Sequence, residues 1–312
     1  MAAPRRVEVA SQAPAEPGPG QIRIALEGSG LCGSEIPVWE GRPWFEYPQS
    51  PGAPGHEGWG TIDALGEGVD GLTVGQRVTA LSYRAHATYD VADVHSVVGL
   101  PAALGDRPFP GEALACAINV FHRTEVRAGE VVAIVGIGFL GALLTQLISR
   151  AGATVIAITR RKYALEVARS MGAAHTIALG DGDAVVRRVE ELTGSALCDR
   201  VVEVTGKQQP LDVAGRVTRV RGRLVIAGFH QDGPRSVDMQ LWNWRGLDVI
   251  NAHERDPGVY VRGMREAVVA VVEGRLDPDP LYTHLFPLDA AAAAFDAATA
   301  RPDGFMKALL VT

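Results

Sequence analysis

The stretch "VVAIVGIGFLGALLTQLISRAGATVIAITRRK" (residues 131–162) decides the fold. Its first five residues are apolar and mostly β-branched, which is typical of a strand buried on both faces of a sheet. A glycine-rich turn follows, then a segment with helical spacing, then a second apolar run at 154–158. The order strand, glycine turn, helix, strand predicts a parallel sheet with helices packed on its faces.

The glycine turn has the spacing G-x-G-x-x-G between a strand and a helix, the context that makes this motif specific. Gly136 permits the tight turn, Gly138 lets a pyrophosphate approach the backbone, and Gly141 lets the helix pack closely on the strand. Phe139 and Leu140 lie between them, where the free N–H groups of the new helix attract an anion. The alternative is an ordinary strand–helix turn that needs its glycines sterically. Dinucleotide binding is the favoured interpretation.

The end of the second strand indicates which dinucleotide binds. An acidic residue here normally receives the ribose 2′-hydroxyl of NAD. This chain has Thr159, Arg160 and Arg161 instead, and guanidinium groups suit a 2′-phosphate. The alternative is a solvated helix start that tolerates arginine. NADP is therefore favoured over NAD.

The rest of the chain predicts a two-domain α/β protein. Residues 1–100 are rich in glycine and proline, with short β-like runs between turns, which favours a compact β-rich domain. Strands and helices alternate up to about residue 256, and a last strand then returns to the first domain. The expected domains are 1–118 with 257–312, and an inserted doubly wound parallel-sheet domain at 119–256.

Composition excludes several classes of function. The net charge of -6 and the absence of a basic block argue against nucleic acid as a partner. No apolar run reaches the roughly 20 residues of a membrane span, and the first residues lack the apolar core of a secretory signal. Three scattered cysteines make no disulfide framework and suit a reducing compartment. A cytoplasmic protein is expected.

Two short motifs and a third segment hold candidate metal ligands. Cys32 lies in "GLCGSE", His56 and Glu57 lie in "GHEGWG", and "GEALAC" offers Glu112 or Cys116. Thiolate and imidazole are good zinc ligands, and a catalytic zinc uses three protein ligands and one open position. Taken singly, a cysteine is more often a buried apolar residue than a metal ligand. A single histidine is likewise more often an ordinary surface or core residue, and a single glutamate a solvated charge.

Taken in order, these motifs resemble the zinc-dependent alcohol dehydrogenase family, the medium-chain dehydrogenase/reductases. "GLCGSE" is similar to its first-ligand motif, and "GHEGWGTIDALGEGVDGLTVGQRV" to its GHE-to-GDRV segment. "GEALACAINVFHRTEVRAGEVVAIVGIGFLG" resembles its stretch from the third ligand into the coenzyme loop, and "LYTHLFPLDAAAAAFD" its C-terminal return. The resemblance implies a GroES-like catalytic domain, an inserted Rossmann coenzyme domain, and a homodimer or homotetramer.

The resemblance also implies roles for single residues. Cys32, His56 and Glu112 match three zinc ligands of the sorbitol dehydrogenase-like type, with Cys116 as the other candidate for the third. Glu57 matches an acid beside the metal that can replace water as a ligand, and Ser34 matches the hydroxyl that passes on the substrate proton. Zinc would act as a Lewis acid on an alcohol or carbonyl substrate, and hydride would pass to the nicotinamide.

The chain departs from the family pattern in two places. The lobe that carries four cysteines in many members is missing, which predicts one catalytic zinc and no structural zinc. Pro37 occupies the position of a proton-relaying histidine, and Glu35 replaces the usual aspartate. His86, His253, or ribose hydroxyls and water are candidates to complete the relay.

Three other functions stay open from the sequence. The missing relay histidine leaves room for reduction of an imine or a conjugated double bond. A zinc-free quinone or enoyl reductase would have the same fold, and a non-catalytic dinucleotide-binding relative would keep the glycine loop. The three candidate ligands in family order argue against the last two.

Overall fold

The computed structural model describes residues 1–312, which form two compact units. The first unit contains Met1–Cys116 and Asp256–Thr312, and the second contains Ala117–Arg255. The chain thus builds part of the first unit, forms the whole of the second, and returns to the first.

Thirteen strands build the two sheets. In chain order they are β1 (Gln21–Gly30), β2 (Glu57–Leu65), β3 (Arg77–Ala80), β4 (Tyr89–Asp93), β5 (Val97–Gly99), β6 (Val131–Val135), β7 (Thr154–Thr159), β8 (His175–Ala178), β9 (Cys198–Glu203), β10 (Thr218–Ile226), β11 (Asp248–Asn251), β12 (His284–Pro287) and β13 (Ala308–Val311).

Nine α-helices accompany these strands. They are α1 (Ile36–Glu40), α2 (Gly111–Thr124), α3 (Phe139–Arg150), α4 (Lys162–Ser170), α5 (Gly182–Thr193), α6 (Gln208–Val217), α7 (Met239–Arg245), α8 (Pro257–Val272) and α9 (Ala291–Ala300). None of the nine combines the length and the apolar character that crossing a bilayer requires.

The first unit is built on a seven-stranded sheet, as the short alternating runs predict. Its order is β12-β13-β1-β2-β3-β5, with β4 also paired to β1. Alternate residues of β1 point inward, so Ile22, Ile24 and Leu26 are buried against Ile62 of β2 and Val78 of β3. All of its pairings are antiparallel except that of β12 with β13.

Three strand ends in this sheet meet at one place. Gly30, the last residue of β1, lies opposite Glu57 of β2 and Leu309 of β13. The loop after β1 therefore carries Cys32 to the same place as the loop that precedes β2, which carries His56. Lys307, just before β13, is brought there by the same register.

The start of α2 is tied to this place by a threonine. The Gly111 N–H donates to Thr79 Oγ1 at 3.2 Å, and Thr79 Oγ1 donates to the Gly58 carbonyl at 2.8 Å. A Cβ at Gly111 would lie 2.5 Å from the Thr79 side chain, so only glycine allows this close approach. Glu112, in the first turn of α2, consequently lies near the first residues of β2.

The second unit holds a six-stranded parallel sheet in the order β11-β10-β9-β6-β7-β8. The central strand β6 has no solvent-exposed face, because Val132, Ala133, Ile134 and Val135 are all fully buried. The sheet confirms the fold class predicted from the 131–162 stretch. From β6 the chain adds β7 and β8 on one side of the sheet and then β9, β10 and β11 on the other, so the topological switch point lies between β6 and β9. In open parallel sheets, ligands bind at this switch point, beyond the carboxyl ends of the strands.

Candidate functional site

The first unit brings Cys32, His56 and Glu57 together. One ligand atom from each residue lies within 4.8 Å of the other two. Zinc bonds to sulfur, nitrogen and oxygen are about 2.0–2.3 Å long, so three atoms this close can share one ion. The donor set is a thiol, an imidazole and a carboxylate, which fits zinc.

His56 is held in the tautomer that metal binding needs. Its Nδ1 lies 2.9 Å from the Pro54 carbonyl oxygen and 3.1 Å from Glu35 Oε1. Both partners are acceptors, so Nδ1 carries the proton and Nε2 is the atom that can bind a metal. Burial lowers the pKa of His56, but Cys32 and Glu35 together raise this pKa well above its usual value.

Glu112 lies at the edge of this group. Its Oε2 is 4.0 Å from His56 Nε2, and its Oε1 accepts a hydrogen bond from the Cys116 thiol at 3.3 Å. Burial and then the Glu112 charge raise the pKa of Cys116 well above its usual value, which keeps this cysteine a thiol. Burial likewise raises the pKa of Glu112. In the structure Cys116 therefore supports Glu112 as a hydrogen-bond donor.

Glu57 is paired with a buried lysine. The Lys307 ammonium lies 2.5 Å from Glu57 Oε2, with the two side chains 5% and 1% exposed. Gly30 makes room for the pair, because a Cβ there would lie 1.9 Å from Glu57 Oε2 and 3.1 Å from Lys307 Cε. Burial lowers the pKa of Lys307, but Glu57 and Cys32 raise it overall, so the lysine stays charged.

Glu35 lies next to the candidate ligands Cys32 and His56. It is buried, and its Oε2 accepts from the Cys32 backbone N–H at 3.3 Å and from His86 Nε2 at 3.1 Å. Its Oε1 faces His56 but has no hydrogen bond of good geometry. Burial raises the pKa of this carboxyl, yet His86 and His56 outweigh burial and lower it to about 2. Glu35 is therefore ionised and touches both the Cys32 backbone and the His56 ring.

Ser34 and the relay candidates are positioned as follows. Ser34 lies in the turn after Cys32, is partly buried, and its hydroxyl makes no hydrogen bond within the protein. Pro37 is buried in α1, where it has no proton to pass on. Of the two histidines considered for the relay, His86 contacts Ser29 and Glu35, and His253 belongs to the second unit.

In the second unit, two of the three loop glycines are required by the chain itself. Gly136 has a φ of +109°, and a Cβ there would lie 2.4 Å from the Thr205 side chain. A Cβ at Gly141 would lie 2.1 Å from the Gly136 carbonyl oxygen. Gly138 differs, because nothing lies within 4 Å of its Cβ position and it caps α3. Internal sterics therefore do not explain Gly138, and the space beside its backbone is open.

The cations expected beside this loop follow β7. Thr159 ends the strand and is buried, Arg160 is exposed, and Arg161 caps the start of α4. The Arg161 guanidinium lies 3.4 Å from the Ile137 carbonyl oxygen of the glycine loop. At least one of the arginines is thus adjacent to the loop.

Sequence reasoning missed the buried charged residues Lys307 and, at the end of β9, Glu203. Glu203 is fully buried and accepts from the Thr205 and Gly206 N–H groups at 2.6 and 2.9 Å, while His230 Nε2 lies 3.0 Å away. This carboxylate shapes the loop whose Thr205 packs against Gly136. A single acid at the end of an apolar run was the only available signal.

A GroES-like domain joined to a Rossmann-type parallel sheet defines the medium-chain dehydrogenase class. Residues 18–105 match the alcohol dehydrogenase GroES-like domain, and residues 140–266 match the zinc-binding dehydrogenase domain. The chain belongs to the zinc-type medium-chain alcohol dehydrogenase family and is an oxidoreductase of that class.

Individual relatives are similar along almost their whole length. The sorbitol dehydrogenase of Halalkalibacterium halodurans is 27% identical, with 90% of each chain covered. That of Gallus gallus is also 27% identical, with 93% of this chain and 89% of the relative covered. The crystal structure of 2R,3R-butanediol dehydrogenase from Bacillus subtilis superposes with a TM-score of 0.87 at 22% identity, covering 100% of this chain and 98% of the other. This last likeness speaks for the fold alone.

Proposed function

We propose that this protein is a zinc-dependent oxidoreductase that interconverts an alcohol and a carbonyl compound, with NADP favoured over NAD. One observation carries the proposal: Cys32, His56 and Glu57 offer three ligand atoms within 4.8 Å of one another, and Glu35 lies next to Cys32. A member of the fold without a metal would gain nothing from gathering a thiol, an imidazole and a carboxylate here.

Cys32, His56 and Glu112 would hold the metal, and Glu57 would be the acid beside it that can take the place of water. When bound, zinc supplies Lewis acidity to the substrate oxygen. His56 would bind through Nε2, since Nδ1 carries the proton. Glu57 would keep its contact with Lys307 through Oε2, so that a charged lysine stays beside this carboxylate. Glu112 Oε2 lies 4.0 Å from His56 Nε2, near enough for this carboxylate to share an ion with the imidazole.

Ser34 would handle the substrate proton. Its hydroxyl has no partner in the protein, so it is available to a substrate oxygen and can donate or accept there. Because Pro37 cannot carry the proton further and His86 is bound to Ser29 and Glu35, the proton would pass to coenzyme ribose hydroxyls and water.

The second unit would bind the coenzyme, which accepts or supplies the hydride. The pyrophosphate would approach Gly138 at the start of α3, where the helix N-terminus favours an anion. Phe139 and Leu140 begin that helix. Arg160 and Arg161 would receive the 2′-phosphate, which is the reason for favouring NADP.

The substrate would be a small secondary alcohol or polyol. Relatives that align over about nine tenths of the chain are named for sorbitol and for (R,R)-butanediol, two compounds that carry more than one hydroxyl group.

Steady-state turnover of polyols, vicinal diols and simple secondary alcohols with NADP and NAD tests the proposal. We expect coenzyme reduction with at least one diol or polyol, loss after chelation, and recovery with zinc. Ser34→Ala should lower kcat by about 100-fold or more while KM for the coenzyme is unchanged. Turnover is also measured for His56→Ala, which removes a proposed metal ligand. Its control is His95→Ala, which removes an exposed histidine of the same unit. Turnover that survives complete zinc removal would refute the proposal.

A further inference from the structure

We infer that His86 is a positioning residue for the metal site, acting through Glu35. The inference rests on the proposed function, because it concerns how the zinc ligands are held. His86 touches none of the proposed ligands, yet it is bonded to the one carboxylate that contacts two of them.

The hydrogen bonds of His86 leave its ring one orientation. The side chain is 7% exposed, with Nε2 3.1 Å from Glu35 Oε2 and Nδ1 2.8 Å from Ser29 Oγ. An ionised carboxylate only accepts, so Nε2 carries a proton and donates it to Glu35. The Ser29 hydroxyl is itself buried and completes the bonding of the ring at Nδ1.

The backbone locks the His86 loop to the segment that carries His56. The His86 N–H donates to the Gly52 carbonyl at 3.0 Å, and the Ala85 N–H donates to the Gly55 carbonyl at 2.9 Å. A Cβ at Gly55 would lie 2.5 Å from the His86 backbone nitrogen and 2.7 Å from its ring Nδ1. Glycine before His56 is thus what allows the His86 ring to reach Glu35.

Glu35 depends on His86 for its geometry. Its Oε2 has two donors, the His86 ring and the more distant Cys32 N–H at 3.3 Å, and its Oε1 has no well-formed hydrogen bond. Without His86, a buried carboxylate would retain one long hydrogen bond and would turn toward other donors or water. The Cys32 backbone and the His56 ring would then lose the contact that holds them in place for the metal.

Zinc affinity of the metal-free protein, measured by competition with a chromophoric chelator, tests this role without using activity. His86→Phe keeps a ring beside Phe295, whose centroid lies 5.9 Å away, but removes the donor to Glu35. We expect zinc binding to weaken about 10-fold or more, as is typical when a group supporting a metal ligand is lost. His86→Gln places an amide N–H near the original Nε2 and should recover most of the affinity.

A double-mutant cycle separates positioning from general damage to the fold. In a Glu35→Gln background, His86→Phe should change zinc affinity by less than about 3-fold, because its effect runs through the carboxylate. If His86→Phe does not fold, Ser29→Ala removes the bond at Nδ1 and should weaken zinc binding by a few-fold.

The outcomes distinguish this inference from the proposed function. Wild-type affinity in His86→Phe, or effects of His86 and Glu35 that multiply independently, would overturn the role of His86 while leaving the zinc site intact. A wild-type protein that binds no zinc, or binds it equally well after His56→Ala, would overturn the proposed function itself.

Discussion

The buried pair of Glu57 and Lys307 allows a quantitative prediction. Replacing Lys307 with methionine keeps the volume but leaves the Glu57 carboxylate, 1% exposed, without its cation 2.5 Å away. Removing one partner of a buried ion pair typically costs about 3–5 kcal/mol of folding free energy, and we expect a loss of this size in the metal-free protein. For a unit of this size that lowers the Tm by roughly 6–20 °C.

Differential scanning calorimetry of metal-free wild type, Lys307→Met and Lys307→Arg measures this loss. The second unit contains neither residue and provides an internal reference in the same scan. The double variant Glu57→Gln/Lys307→Met should recover most of the loss, because no unpaired charge stays buried. Zinc should reduce the penalty of Lys307→Met if Glu57 binds the metal, since the ion then compensates its charge.

Two results would refute this reasoning. A Lys307→Met transition within about 1 °C of wild type would mean that the carboxylate finds water or another donor. An equal penalty with and without zinc would show that Glu57 is not a metal ligand, and the shell would then consist of Cys32, His56 and Glu112.

Three further predictions concern other parts of the molecule. Replacing Arg160 and Arg161 with alanine should raise KM for NADP at least 10-fold and KM for NAD less than 2-fold, as initial rates will show. Gly136→Ala should cost about 1–3 kcal/mol of stability by chemical denaturation. Gly138→Ala should cost no more than about 1 kcal/mol, as is typical of alanine at a helix N-cap, and should weaken coenzyme binding in calorimetric titration. Burial raises the pKa of Asp90, so the folded protein holds this proton more tightly than the unfolded chain does, and stability should fall as the pH rises above about 4. Denaturation curves measured from about pH 3 to 7 should show that Asp90→Asn lacks this contribution to the pH dependence.

Much of the fold can be predicted from short stretches of the sequence. The β-branched run of β6, the glycine spacing and the next apolar run predict the parallel sheet, because each of these patterns acts within a few residues. The four-residue edge strands β8 and β11 were not predicted, since they are too short and too mixed in polarity to differ from loops.

The candidate site shows where local information ends. Cys32, His56 and Glu57 are recognisable because each lies in a short motif, and the structure brings them together. Lys307 reads as an ordinary surface lysine before an apolar strand. Its burial depends on strand register and on the missing side chain of Gly30, which no local pattern encodes.

Burial of the tryptophans was equally hard to predict. Trp39 and Trp59 are 1% and 2% exposed and belong to the core, whereas Trp44 is 52% exposed. Trp39 stacks on Phe295 of α9 at 5.2 Å between ring centroids, a contact between the two chain segments that form the first unit. Because such contacts join distant parts of the chain, composition alone did not separate core from surface.

Zinc content per chain, measured by plasma mass spectrometry on purified untagged protein, tests the central claim most directly. The account predicts about one zinc per chain in wild type and in His95→Ala, and almost none in His56→Ala. A wild-type protein without zinc after metal-replete expression, or zinc retained in full by His56→Ala, would contradict it.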